Sequence, residues 1–317
     1  MYLRDKISRT VRIVRKFVLR DIWNLNFEEL SKTKVKLVGH LKVFTINYRH
    51  FHKLRCGREA VALSFFTTMA TIPTLAIVML IASRLGLDVL FNNIIYHYFS
   101  DHREIAEAII TYIGNMNSLT GKTAFGWFSI ITFIWLVMWM MLCVEDAFNR
   151  VWGVKKSRNI FRRFGTYISI LMVSPFIILL FFYGTIYYTR FINYLSGLRL
   201  MSFIGSGIYW LVFYAVSILA LSIVYKIIPN TKVKYLPCLK ASLISGIAFV
   251  GIQYLYLETQ VMVTRLNSVY GVIAAIPLYM VWLNFCWFVI LYGANLSYAF
   301  QHRDTYTEEE IRLEKAN

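Results

Sequence analysis

The side chains with chemical capacity in this chain are few, and most of them sit inside long apolar runs. Ser64, Thr67, Thr68 and Thr71 fall at i, i+3, i+4 and i+7, which puts four hydroxyls on one helix face. Pro277, Asn284 and Asn295 recur at spacings of seven and eleven, so they too share a face at ~100° per residue. In hydrocarbon an unpaired amide is costly, so that face has to look at other helices or at water. Two readings follow for Ser64, Thr67, Thr68, Thr71, Asn284 and Asn295. They line a hydrated cavity, or they pack helices together with the hydroxyls bonded back to their own i−4 carbonyls. Packing is the favoured reading for the hydroxyls, but Asn284 has two donors and an acceptor that one backbone cannot fully serve. The polar faces of the two segments are therefore expected to meet around water, with Leu283 turned to lipid.

A second group comprises Arg58, Glu59, Glu145, Asp146, Asn149 and Arg150. Glu145 and Asn149 are one helical turn apart, as are Asp146 and Arg150, so opposite charges are placed to pair. A cap on one end of a helix bundle is favoured over an ion relay. Enzyme chemistry finds little support. His50-x-His52 is the one close pair among the histidines, and it has no acidic cluster beside it. No HExxH, GxSxG, P-loop or dinucleotide-binding glycine pattern occurs, so no catalytic residue, metal or cofactor is expected. Cys56, Cys143, Cys238 and Cys286 lie far apart without CxxC spacing, which implies neither a disulfide framework nor a zinc site.

The elements that carry these residues are hydrophobic. With 58% hydrophobic, 17% aromatic and 16% charged residues, the chain is too apolar for a soluble domain of its size. The segment on which the rest leans is Leu266 to His302, 37 residues without Asp, Glu, Lys or Arg, where about 20 suffice to cross a bilayer. Six spans are drawn: Ala60 to Ser83, Phe125 to Val144, Gly165 to Tyr188, Gly205 to Tyr225, Ala241 to Leu257 and Gly271 to Leu296. The fifth is the weakest, with 17 uncharged residues between Lys240 and Glu258. Lysines and arginines number 28 on one side of this arrangement and 6 on the other. Because Lys and Arg resist translocation, both termini are expected in the cytoplasm. No signal peptide is read in the first 59 residues, so the first span is expected to direct insertion itself.

The fold class expected is all-α: a polytopic six-span membrane bundle with added amphipathic helices at the N-terminus and outside. Residues 1–59 form a basic cytoplasmic segment, 60–300 the membrane domain with an outside loop at 84–124, and 301–317 an acidic cytoplasmic tail. In Leu3 to Trp23 apolar residues recur every three to four positions between basic ones, the pattern of a helix lying on anionic phospholipids. Nucleic acid is not the expected partner, because positive-inside bias and lipid attraction already account for the basic arm.

Gly57-Arg58-Glu59-Ala60 entering a span with Pro73, Asn149-Arg150-Val151-Trp152, Ile228-Pro229-Asn230 with Lys232, and Tyr270-Gly271 through Trp282 to Gly293-Ala294 are the stretches that resemble a known family. They are similar to the YihY/virulence factor BrkB family of bacterial inner-membrane proteins, some of which have carried the name ribonuclease BN. The resemblance covers about residues 50 to 303 and implies six spans with both ends cytoplasmic. Where many members read Gly-Ala-Glu, this chain has Gly293-Ala294-Asn295, which removes the carboxylate on which a proton-linked role would rest. The nuclease label finds no matching constellation of residues. Transport or export of a lipid, an envelope component or a small solute is the expected function. The alternatives are a non-transporting envelope protein that binds lipid or partner proteins and, third, an intramembrane enzyme.

Overall fold

A computed structural model describes residues 32–84, 124–154, 199–264 and 268–303, together with residue 165 and isolated positions between 92 and 111. Among the described residues all regular structure is helical: α1 (Lys32–Lys53), α2 (Cys56–Arg84), α3 (Ala124–Val151), α4 (Arg199–Ile227), α5 (Tyr235–Thr264) and α6 (Ser268–His302). The spans drawn from sequence fall inside α2 to α6, apart from Gly165 to Tyr188. Beyond Gly165 that span lies outside the described residues, as do Leu3 to Trp23, most of the 84–124 loop and the tail beyond 303.

Trp210–Ile227, Tyr235–Thr259 and Pro277–His302 are each long and apolar enough to cross a membrane. The span with few uncharged residues belongs to a helix of 30 residues, about 45 Å long. It starts early because Pro237 sits in the first turn, where a missing N–H removes no helical bond. α3 stops at Gly153, whose φ of +62° is the left-handed conformation glycine adopts cheaply. Its amide bonds the Arg150 carbonyl at 3.2 Å and the Val154 amide bonds the Asn149 carbonyl at 2.9 Å, which closes the helix end.

Each of the five other described helices packs on α6. The main core lies toward its C-terminal half, where Leu291, Ala294 and Leu296 meet Ile46 of α1, Ala60 of α2, Phe148 of α3, Tyr225 of α4 and Cys238 of α5. Part of the basic arm is thus structural. In α1, Val38, Val43, Ile46, Asn47 and Phe51 are buried between exposed or half-buried residues such as Arg49 and Lys53.

The outward faces are apolar. Ile131, Trp135 and Trp139 on α3 and Val212, Val216, Leu219, Ile223 and Ile227 on α4 are exposed at spacings of three and four. Water does not tolerate such continuous stripes on a monomeric soluble protein, and lipid does.

Candidate functional site

α2 and α6 run antiparallel: Cys56 meets Asn295, Thr67 meets Trp287 and Thr71 meets Tyr279. The hydroxyl stripe of α2 lies on this contact. Ser64 donates to the Val61 carbonyl, Thr67 to Leu63, Thr68 to Ser64 and Thr71 to Thr67, all at 2.7 to 2.8 Å. Their protons are spent on their own helix, which leaves lone pairs for a neighbour. Trp287 Nε1–H donates to Thr67 Oγ1 at 2.9 Å, and Tyr279 lies 3.0 Å from Thr71 Oγ1 as the remaining donor.

The face shared by Pro277, Asn284 and Asn295 is not uniform in its surroundings. Pro277 is exposed, Asn284 is half-buried and Asn295 is fully buried, since among the described residues the main core gathers around the C-terminal half of α6. Leu283 is buried at 8% exposure, which corrects the expectation that it faces lipid. Its neighbours Phe285 and Phe288 are the outward residues.

Asn295 joins three helices. Its Oδ1 accepts from His50 Nδ1 at 2.7 Å, and its amide donates to the Leu291 carbonyl at 2.8 Å and to Cys56 Sγ at 3.4 Å. His50 is stacked on Tyr298 with ring centroids 4.4 Å apart, and Trp152 meets Tyr298 edge-on at 5.6 Å. One turn before His50, the Asn47 side chain is fully buried and its amide has no partner among the described residues.

The acidic and basic cluster divides in two. Arg150 pairs with Glu59 at 2.7 Å, across helices, where the sequence pointed to Asp146 one turn away. Asp146 is exposed. Glu145 is buried and accepts from Asn149 Nδ2 at 3.4 Å, while Asn149 Oδ1 accepts the Asn230 backbone N–H at 2.8 Å. Asn149 therefore pins the turn between α4 and α5, and Gln301 holds the same turn by accepting the Lys234 N–H at 2.9 Å. Among the described residues no group of three His, Cys, Asp or Glu converges to hold a metal.

Arg58 stands apart from that cluster, in a groove of about 670 Å³ at the elbow between α1 and α2. Tyr48, Phe51, His52 and Arg55 come from the end of α1 and the elbow, Gly57 and Arg58 from the start of α2, and Phe288 and Tyr292 from α6. Phe51 is edge-on to Phe288 at 4.9 Å and to Tyr292 at 5.6 Å, which fixes the floor. Arg55 turns the chain with φ of 52°.

Sequence reasoning did not single out Tyr225, Trp287 or Gln301, and it weighed His50 and Cys56 only as metal or disulfide candidates. Tyr225 is buried and hydrogen-bonded to Ser245 at 2.9 Å, beneath Gly293. The available signal was in α1, where apolar residues recur at helical spacing through Phe51 and put His50 beside a buried face.

The sequence profile described as Virulence factor BrkB matches residues 47–317. A UPF0761 membrane protein of Janthinobacterium sp. is 27% identical over 279 residues, covering 86% of this chain and 61% of the relative. One of Acinetobacter baylyi is 29% identical over 259 residues, covering 79% and 60%. One of Pseudoalteromonas translucida is 25% identical over 269 residues, covering 80% and 84%. The chain spans about six tenths of the length of the first two relatives. No solved structure matches it.

Proposed function

The chain belongs to the virulence factor BrkB family of membrane proteins, and from that premise we propose that it moves a lipid, an envelope component or a small solute along the α2–α6 seam. In this reading it spans the bacterial inner membrane six times. Both termini are cytoplasmic, residues 1–59 and 301–317 flank the membrane domain 60–300, and the loop 84–124 is outside. The basic arm attracts anionic phospholipids.

The observation that carries the proposal is the pair of contacts from Trp287 to Thr67 and from Tyr279 to Thr71. Between faces that otherwise suit lipid, these donors and acceptors form a polar seam. Each bond can be exchanged for water at little net cost when the helices part, which an apolar seam does not allow. Asn284 and Asn295 extend the polar face along α6.

Single cysteines at positions 67, 71, 284 and 295, in a background without native cysteines, test this with a small water-soluble thiol reagent. Transport predicts labelling at 67 and 71 that rises or falls with one added solute or lipid, while a cysteine at exposed Phe285 stays protected by lipid. Uniform protection sinks transport. It leaves the second reading, a non-transporting envelope protein that binds lipid, which the groove at the α1–α2 elbow favours.

A further inference from the structure

The groove at the α1–α2 elbow combines two chemistries that rarely meet. Its basic rim is Arg55, Arg58 and His52, and among the described residues no carboxylate lines it. The nearest acid in sequence, Glu59, is turned to Arg150. The guanidinium groups of Arg55 and Arg58 are exposed and make no ion pair or hydrogen bond among the described residues, so their donors are open to a ligand. The floor is aromatic, formed by Phe51, Phe288 and Tyr292. At about 670 Å³ the groove falls within the roughly 300–1,000 Å³ of small-molecule sites.

What leaves the groove identifies the occupant. On α6, Val281, Phe285 and Phe288 are exposed at spacings of four and three and lead to Tyr292. On α2, Val61, Phe65 and Met69 are exposed at spacings of four, starting one turn beyond Gly57. Since the two helices are antiparallel, both stripes run from the groove toward the middle of the bundle's apolar length. A ligand that fills the whole feature has an anionic head and long apolar chains.

We propose that this groove binds one anionic phospholipid, its phosphate held by Arg55 and Arg58 and its acyl chains laid along the outward stripes of α2 and α6. Guanidinium suits phosphate because its planar fork gives paired N–H···O bonds. The first turn of α2, where Gly57 brings backbone close to the groove, adds the positive end of a 29-residue helix. A zwitterionic lipid gains less, because its cationic group finds no acid among the described residues that line the groove. The site rests on the chain lying in a bilayer, as the proposed function does, but not on movement of any solute.

The test uses the full chain equilibrated with vesicles of equal phosphatidylglycerol and phosphatidylcholine, then extracted and weighed by native mass spectrometry. The protein is expected to retain phosphatidylglycerol over phosphatidylcholine. In the double variant Arg55→Gln, Arg58→Gln that preference should fall roughly ten- to thirty-fold, at about 1 kcal/mol per arginine. Lys232→Gln with Lys234→Gln removes the same charge from exposed positions outside the groove and should leave the preference intact. Photoreactive phosphatidylglycerol should crosslink to the wild-type chain at residues 48–58 and 288–292, a readout that needs no variant to fold. The proposal is overturned if the arginine variant keeps its preference, if the lysine variant loses as much, if crosslinks map elsewhere, or if millimolar inorganic phosphate alone displaces the lipid. Uniform protection of the seam cysteines together with retained lipid selectivity would remove transport and leave this site standing.

Discussion

His50 Nδ1 and Asn295 Oδ1 lie 2.7 Å apart, although the two residues are 245 positions apart in the chain. The bond ties the end of α1 to α6. Asn295 is fully satisfied there, since its amide also reaches the Leu291 carbonyl and Cys56 Sγ. The consequence is a junction of α1, α2 and α6 that needs no buried charge.

Two buried asparagines should therefore respond oppositely to loss of their amides. Asn295→Ala removes the bonds to His50, to the Leu291 carbonyl and to Cys56 together and is expected to cost about 1–3 kcal/mol. Asn47, fully buried with neither amide atom bonded among the described residues, pays desolvation without return. Asn47→Leu is expected to stabilise by about 1–2 kcal/mol. Thermal unfolding of the two variants in detergent, beside the parent, decides the sign of each.

Gly293 leaves no room for a side chain between α6 and its neighbours α4 and α5. A Cβ there meets the Tyr225 phenol oxygen first, then Tyr225 Cζ at 2.7 Å and Ser245 Cβ at 2.8 Å. Gly293→Ala should destabilise by about 1–3 kcal/mol or more through overpacking. Tyr225→Phe removes the nearest atom, so the double variant should recover part of that loss. A double-mutant cycle with no coupling would show that the helices separate freely at this point.

The cluster of Glu59, Glu145, Asn149 and Arg150 should split in the same way. The Glu59–Arg150 pair is open to solvent, with the side chains 28% and 54% exposed. Glu59→Gln is expected to cost under about 1 kcal/mol, less at high salt. Asn149→Ala removes the contact to the Glu145 carboxylate and the bond from the Asn230 N–H together, and should cost more, about 1–3 kcal/mol, with little dependence on salt. Unfolding midpoints at two ionic strengths separate the cases.

Helices α2 to α6 were legible because runs of uncharged residues fix their length and the positive charges bound them. Less of the site could be read. The hydroxyl stripe of α2 was visible as a pattern, but its partners Trp287 and Tyr279 read as ordinary membrane aromatics until the helices are paired. The buried face of α1 was masked by Lys36, Lys42, Arg49 and Lys53, which made the arm look like a surface helix. Local spacing favoured Asp146 for Arg150, and Glu59 took its place because the bundle sets α2 beside α3. Leu283 was assigned to lipid from its neighbour Asn284, although 100° of helix rotation separates them and the partner helices decide which side is covered.

Arg55 offers a test in which stability and binding part company. It holds φ of 52° at the two-residue elbow between α1 and α2, a conformation that costs a residue with Cβ about 1–2 kcal/mol and glycine almost nothing. Its carbonyl also accepts the Arg58 N–H at 2.9 Å, so the turn itself persists whatever side chain it carries. If the elbow served only to reverse the chain, glycine would be the better residue in every respect. Arg55→Gly is accordingly expected to raise the unfolding free energy by about 1 kcal/mol while reducing retention of phosphatidylglycerol over phosphatidylcholine. Strain kept at a place where it can be relieved so simply is the pattern of a residue held for its side chain. A variant that gained no stability would mean the elbow relaxes around Arg55 at no cost, and one that gained stability and kept its lipid would assign the phosphate to Arg58 alone.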